Sequence, residues 1–195
     1  KVDIIIGTQV IAKGHHFPLV TCVGVIDADL GLAGGDLRAG ERTYQLLHQV
    51  AGRSGRESRP GRVFLQTSQP DHPLIEALLS WDRDGFLEEE KRGRREAGMP
   101  PFGKLAAVIL SAKDPRIVDD LACVIASSAP YNSEVQILGP AIAPIAVLRG
   151  RHRRRFLVKC SKNVNIQKVL KSWLQNIKIP SNAKVEIDID PYNFM

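Results

Sequence analysis

The sequence predicts two domains of different build: an α/β part over residues 1–72 and an α+β part over residues 104–195, joined by a helical, charged linker at 73–103. Three observations predict this. Short β-branched runs alternate with a helical pattern before residue 70, the order of a parallel sheet with crossover helices. The string GMPPF at 98–102 stops any helix that enters it, because two prolines remove donors and fix φ. Beyond it the apolar period switches between two and 3.6 in the order β-α-β-β-α-β. That is the order of a ferredoxin-like split βαβ unit, one antiparallel sheet with two helices on one face.

Taken in order, residues 2–6 and 20–26 read as buried strands, β-branched and bounded by turn signals, as in a sheet covered on both faces. A Gly/Asp-rich loop at 29–40 leads to a helix over 41–51. Pro60 and Gly61 break the chain before a third strand over 62–67. Leu74, Ile75, Leu78 and Leu79 start an apolar helix, and EEEKRGRRE reads as an exposed helix or linker. In the second part, residues 105–112 form a strand. After Asp114 and Pro115, a start signal, Ile117, Val118, Leu121, Val124 and Ile125 fall on one helical stripe. Residues 135–138 and 142–148 are extended, interrupted by Gly139 and Pro140. Residues 153–160 alternate, and Ile166, Val169, Leu170, Trp173, Leu174 and Ile177 mark a second amphipathic helix before a strand at 185–189.

With 195 residues, 44% of them apolar, the chain can bury one moderate core or two small ones. No run approaches membrane-spanning length, which excludes a helical membrane protein. Cys22, Cys123 and Cys160 stand singly in apolar stretches, predicting reduced core residues and a cytoplasmic setting, with neither disulfides nor a zinc cage. The sequence opens at Lys1 inside a strand pattern, which predicts a piece of a larger protein. Charge is uneven: residues 1–100 carry 13 Lys and Arg against 14 Asp and Glu, whereas residues 101–195 carry 14 against 7. The excess points the second part at a polyanion, with a solvated basic face as the plainer reading of the same count.

ERTYQLLHQVAGRSGRE at 41–57 sets Gln49, Arg53 and Arg56 at steps of four and three, one face of a helix that persists to Arg56. Arginine presents a fixed fork of donors, charged at any accessible pH, which suits phosphate oxygens and the charge that spreads over them in phosphoryl transfer. Gly52 and Gly55 each cost a helix about 1 kcal/mol relative to alanine, so they call for a close approach. A surface helix with solvated arginines is the other reading of this spacing. Upstream, IIIGTQVIAKGHHFP at 4–18 runs from a strand into a Gly-bracketed turn carrying Thr8, Gln9 and Lys13 before Gly14. Such a turn at the carboxyl end of a sheet strand is where an α/β fold binds phosphate. His15 and His16 are adjacent, point apart in extended backbone and lack accompanying ligands, so no metal is predicted there.

These two segments resemble motifs V and VI of superfamily 2 helicases. GTQVIAKGHHFP, VGVIDADLGL, ERTYQLLHQVAGRSGR, MPPF and LGPAIAP with RGRHRRRFLVK together resemble, in order, the primosomal helicases of the PriA family, over essentially the whole chain. The resemblance implies that residues 1–70 end the second RecA-like lobe, and that the C-terminal domain is ferredoxin-like in the manner of ribosomal protein S10. It implies Arg56 as an arginine finger on the γ-phosphate of ATP, assisted by Arg53 and Gln49. Lys13 and Gly14 would adjoin the nucleotide, and Thr8 and Gln9 the DNA backbone. The chain departs from many superfamily 2 enzymes in having His16 where they carry an acidic residue. Neither a G-x-x-x-x-G-K-[ST] loop nor a DEAH-like motif is present, so ATP and Mg2+ would be held mostly by a preceding lobe, and this stretch alone would neither hydrolyse ATP nor unwind DNA. Zinc in the family lies in a cysteine cluster outside this sequence.

In RGRHRRRFLVKC at 149–160, Arg151, Arg153 and Arg155 share one face of a strand, a cation about every 6.6–6.8 Å, and Lys159 extends that row beyond Leu157. Phe156 falls on the other face, so no aromatic ladder interleaves, and backbone binding with little sequence preference is expected. The resemblance implies forked or single-stranded DNA, other primosome proteins and single-stranded DNA-binding protein as partners, the acidic tail of the last meeting Lys162 and Gln167. Three readings follow: the C-terminal part of a 3′→5′ DNA helicase that restarts stalled forks, a non-catalytic nucleic-acid or partner-binding module, and another superfamily 2 ATPase.

Overall fold

The structure is a computed structural model that describes residues 3–8, 20–32, 36–52 and 61–192. The chain forms two compact units, residues 1–90 and 91–195. It is mixed α/β.

In the first unit, β1 (Cys22–Val25) pairs in parallel with β2 (Arg62–Leu65), Cys22 opposite Arg62 and Val25 opposite Leu65. A 3-10 turn, Ala28–Gly31, follows β1. Helices α1 (Ala39–Ala51) and α2 (Pro73–Leu79) follow, and α3 (Arg83–Glu96) begins in this unit and ends in the second. The core gathers Ala28, Tyr44, Leu47, Leu74, Ile75, Leu78 and Phe86. The start of the expected linker is thus part of this core. Pro73 at the first helical position and His72, whose Nδ1 accepts from the Leu74 amide at 3.1 Å, start α2 and turn its apolar residues inward.

Two expectations are corrected here. Residues 4–8 form no strand, and Ile4 and Ile6 are 79% and 92% exposed. An apolar run becomes a strand only beside a partner, and the described residues pair β1 with β2 alone. Nor, among the described residues, is this sheet covered on both faces. Residues alternate between exposed and half-buried along β1 and β2, with Phe64 exposed, because the described helices line one side only.

In the second unit, Gly98 takes φ 59 just past α3, and the chain turns through the two prolines into β3 (Gly103–Ala112). A Cβ on Gly103 would overlap the Gly98 carbonyl oxygen, so this turn requires glycine at its exit. Arg95 lies over the Phe102 ring at 4.7 Å. Then come α4 (Pro115–Ser127), β4 (Val135–Leu148), β5 (Arg151–Ser161), α5 (Ile166–Leu174) and β6 (Ala183–Ile189). The sheet order is β4-β5-β3-β6, antiparallel throughout. β3 is central, which explains its nearly unbroken apolar run. β4 is one strand, not two, carrying register shifts between Leu138 and Ala141 and between Ile142 and Val147.

The core of this unit joins Ala106, Val108, Leu110, Phe156 and Val158 of the sheet to Val118, Leu121 and Ile125 of α4 and Ile166, Leu170 and Trp173 of α5. Val124, expected on the buried stripe, is 54% exposed, and Cys123 is exposed beside it, because Val118, Leu121, Ala122 and Ile125 define the inward face. Cys22 is also exposed, at the first position of β1, so of the three expected core cysteines only Cys160 is buried. All three are free.

Helix α5 is short and relies on its cap. The Asn165 side-chain oxygen accepts from the Lys168 amide at 2.9 Å. Asn165→Ala should lower the unfolding free energy of the second unit by about 0.5–2 kcal/mol, read by urea denaturation, with glycine there costing only a few tenths.

Candidate functional site

Helix α1 packs Thr43, Tyr44, Leu47 and Ala51 inward. Tyr44 stacks on Phe86 at 4.7 Å and on His48 at 5.8 Å, and His48 meets the Trp81 edge at 4.8 Å. Burial raises the Tyr44 pKa. Arg42 pairs with Asp36 at 2.7 Å and Arg38 with Glu41 at 2.9 Å around the helix start. Gln49 lies about half a turn from the Leu47 and Ala51 face and is exposed, directed away from the core. α1 closes at Ala51, and the Gly52 amide donates to the His48 carbonyl at 3.0 Å. Thr8 is exposed. Gln9, Lys13, Gly14, His15, His16, Arg53 and Arg56 lie outside the described residues.

The segment VGVIDADLGL leaves the carboxyl end of β1 and is tied to the end of β2. Asp29 Oδ1 accepts from the Thr67 hydroxyl at 2.5 Å, and Oδ2 accepts from the Ser68 amide and hydroxyl, each at 2.7 Å. Asp27, in left-handed backbone at φ 53, lets the chain turn, and the Ala28 amide donates to the Gln66 carbonyl. These hydrogen bonds, the Thr67 hydroxyl first, hold the Asp29 carboxyl below its usual value of 3.8. A carboxylate favoured in the folded state stabilises above its unfolded pKa, and that contribution disappears as pH falls through the lowered folded pKa. The Ser68 amide shift should therefore titrate in NMR with a midpoint below the ordinary aspartate value. Asp29→Asn should remove that step. A midpoint at or above the ordinary value would contradict the network.

On β5 the predicted alternation is present. His152, Arg154, Phe156, Val158 and Cys160 take the helix-covered side, and Arg151, Arg153, Arg155 and Lys159 the opposite side. The row is nonetheless not a line of freely solvated cations. Arg151 donates from Nε to Ser111 Oγ at 3.1 Å and from Nη2 to the Ser111 carbonyl at 2.7 Å. Lys159 Nζ donates to the Ala97 carbonyl at 3.0 Å. Arg153 is only 7% exposed. Arg155 is half-buried, and burial together with Arg153 beside it lowers its pKa. Long cationic side chains fold along the sheet wherever a backbone acceptor is in reach, which strand periodicity does not register.

Three residues that strand periodicity did not single out organise this region. Arg154 reaches Asp119 of α4 from Nε at 2.6 Å and from Nη2 at 3.0 Å, a forked pair joining helix to sheet. Ser111 holds Arg151. The signal for Arg154 lay in its parity: it shares the side of Phe156, under α4. Lys162 and Gln167 are both exposed near the start of α5. Among the described residues no group of three or more His, Cys, Asp or Glu could hold a metal ion, and no helix is long and apolar enough to cross a membrane.

Comparison with known proteins adds to this geometry. A family model described as the primosomal protein N C-terminal domain matches residues 95–192. The chain is 48% identical over 194 residues to the replication restart protein PriA of Rickettsia conorii, covering 100% of this chain and 30% of that protein. Similarity to the proteins of the same name from Bacillus subtilis and Haemophilus influenzae is 38% and 37% identity, covering 100% and 98% of this chain and 25% and 27% of theirs. The chain thus spans about a third or less of the curated relatives it matches.

Proposed function

The chain belongs to the PriA family of replication restart proteins, and from that membership we propose that it is the C-terminal part of an ATP-dependent 3′→5′ DNA helicase that acts at stalled forks and reassembles the primosome. In this reading residues 1–72 complete a second RecA-like lobe, residues 73–103 link it, and residues 104–195 form a ferredoxin-like domain of the ribosomal protein S10 kind. The observation that carries the reading is coverage: relatives named for replication restart align with all of this chain, from the glycine-arginine segment to the basic strand.

ATP with Mg2+ would be held mostly by the rest of the protein and would supply the free energy of translocation. The contribution of this chain is one wall. Gln49 already points out of the unit, and we assign Arg53 and Arg56 to the same wall, where guanidinium forks can meet phosphate oxygens. Lys13 and Gly14 belong to the same nucleotide-facing group, and Thr8 and Gln9 to the DNA backbone. Zinc is assigned to the part of the protein beyond this chain. The partners are forked or single-stranded DNA, other primosome proteins and single-stranded DNA-binding protein, whose acidic tail fits the exposed Lys162 and Gln167. The setting is the cytoplasm.

A second reading has its own support. The second unit has a core of its own and holds all the positive excess, so by itself it serves as a nucleic-acid or partner-binding module without catalysis. DNA-stimulated ATP hydrolysis by the full-length protein, with and without Arg56, separates the two. Hydrolysis that survives loss of Arg56 leaves the chain as a binding module.

A further inference from the structure

Arg153 presents a problem in electrostatics. It is 7% exposed, and its buried Nη1 has no hydrogen-bond partner. Removing a guanidinium from water is strongly unfavourable unless an anion or acceptors compensate. The register shows what surrounds it. Across β3 stands Ser111, already bonded to Arg151, and beyond it on β6 stands Lys184. On the other side, β4 makes its second register shift between Ile142 and Val147, and residues 143–146 there are Ala, Pro, Ile and Ala, with no titratable side chain. Along β5 the neighbours on this side are Arg151 and Arg155. The nearest carboxylate on this side by register is Glu186, opposite Ile109 and so level with Arg155.

We propose that Arg153 forms a recessed anion site beside the 143–146 bulge of β4, and that its ligand is a single phosphate group. A guanidinium fork matches phosphate oxygens in pairs, and at 7% exposure Arg153 meets them with little competition from water. A phosphodiester of the DNA backbone is the source in the reading above, on which this part rests. A free phosphate-bearing ligand is the other source. The row on β5 then acts through one deep anchor and not through four equivalent cations.

The test uses this 195-residue chain in chloride buffer. Inorganic phosphate at constant ionic strength should raise the thermal midpoint saturably in the wild type and not in Arg153→Met. Without phosphate, that variant should melt at or above the wild-type temperature, since it removes an uncompensated buried charge. Binding of a single-stranded oligodeoxythymidylate, followed by fluorescence anisotropy, should weaken about tenfold in Arg153→Met, with a shallower salt dependence. Arg149→Met, at an exposed position, should change it less.

If phosphate stabilises only the wild type but the oligonucleotide binds both proteins equally or neither, the site stands, its source is a free phosphate, and the DNA reading of this strand fails. If phosphate stabilises both proteins alike, or neither, the site is overturned. Should Arg153→Met not fold, Arg153→Lys decides: a phosphate midpoint several-fold weaker supports the site, and an unchanged one overturns it.

Discussion

Arg56→Ala in the full-length protein should reduce DNA-stimulated ATP turnover by about 10³–10⁵-fold, with DNA affinity changed by no more than about twofold. The magnitude follows from the role. A guanidinium aimed at a transferring phosphoryl group stabilises charge that develops only in the transition state, so its removal acts on turnover and not on binding. Arg56→Lys keeps the charge but loses the planar fork and should recover little. Steady-state hydrolysis with and without saturating DNA measures the first quantity, and anisotropy measures the second. Turnover unchanged in Arg56→Ala would remove the arginine-finger role. A parallel collapse of DNA affinity would mean that the residue serves the strand and not the nucleotide.

Phe156→Ala should cost the second unit about 3–5 kcal/mol, most of what a domain of this size has to lose. Phe156 is fully buried in the middle of β5, and its ring meets Trp173 of α5 edge to face at 5.6 Å. Trp173 is held from the other side, its Nε1 donating to the Ile125 carbonyl of α4 at 3.1 Å. Three elements therefore converge on one ring, and none can close the void without giving up that hydrogen bond or the strand register. Urea unfolding followed by Trp173 emission, in a Trp81→Phe background, measures the loss. Phe156→Leu should lose clearly less. A cost below about 1 kcal/mol for the alanine would show that the site collapses freely and that this packing is not what holds the helices down.

The second unit was legible because its signals are local and redundant. Asp114 and Asn165 cap helices whose apolar stripes are unambiguous, and the parity of residues 151–161 assigns each side chain to a face. The first unit was legible in part. The residues buried by α1 follow from its spacing, but the strand expected near Ile4 did not form, because apolar character does not create a pairing partner. Cys123 and Val124 misled for a related reason: composition marks them apolar, and only the packing of α4 decides which side is in.

What the sequence determined by itself is the order of elements in the second unit, the side of the strand each arginine takes and the family to which the chain belongs. All of these depend on residues close along the chain or on strings that can be compared directly. What only the tertiary structure decided is the condition of those arginines: Arg151 spent on Ser111, Arg154 paired with Asp119, Lys159 tied to a carbonyl and Arg153 buried beside a bulge. The free energy of a charge depends on the water it has lost and the partner it has gained, and both are set by segments that fold brings near from up to 62 residues away.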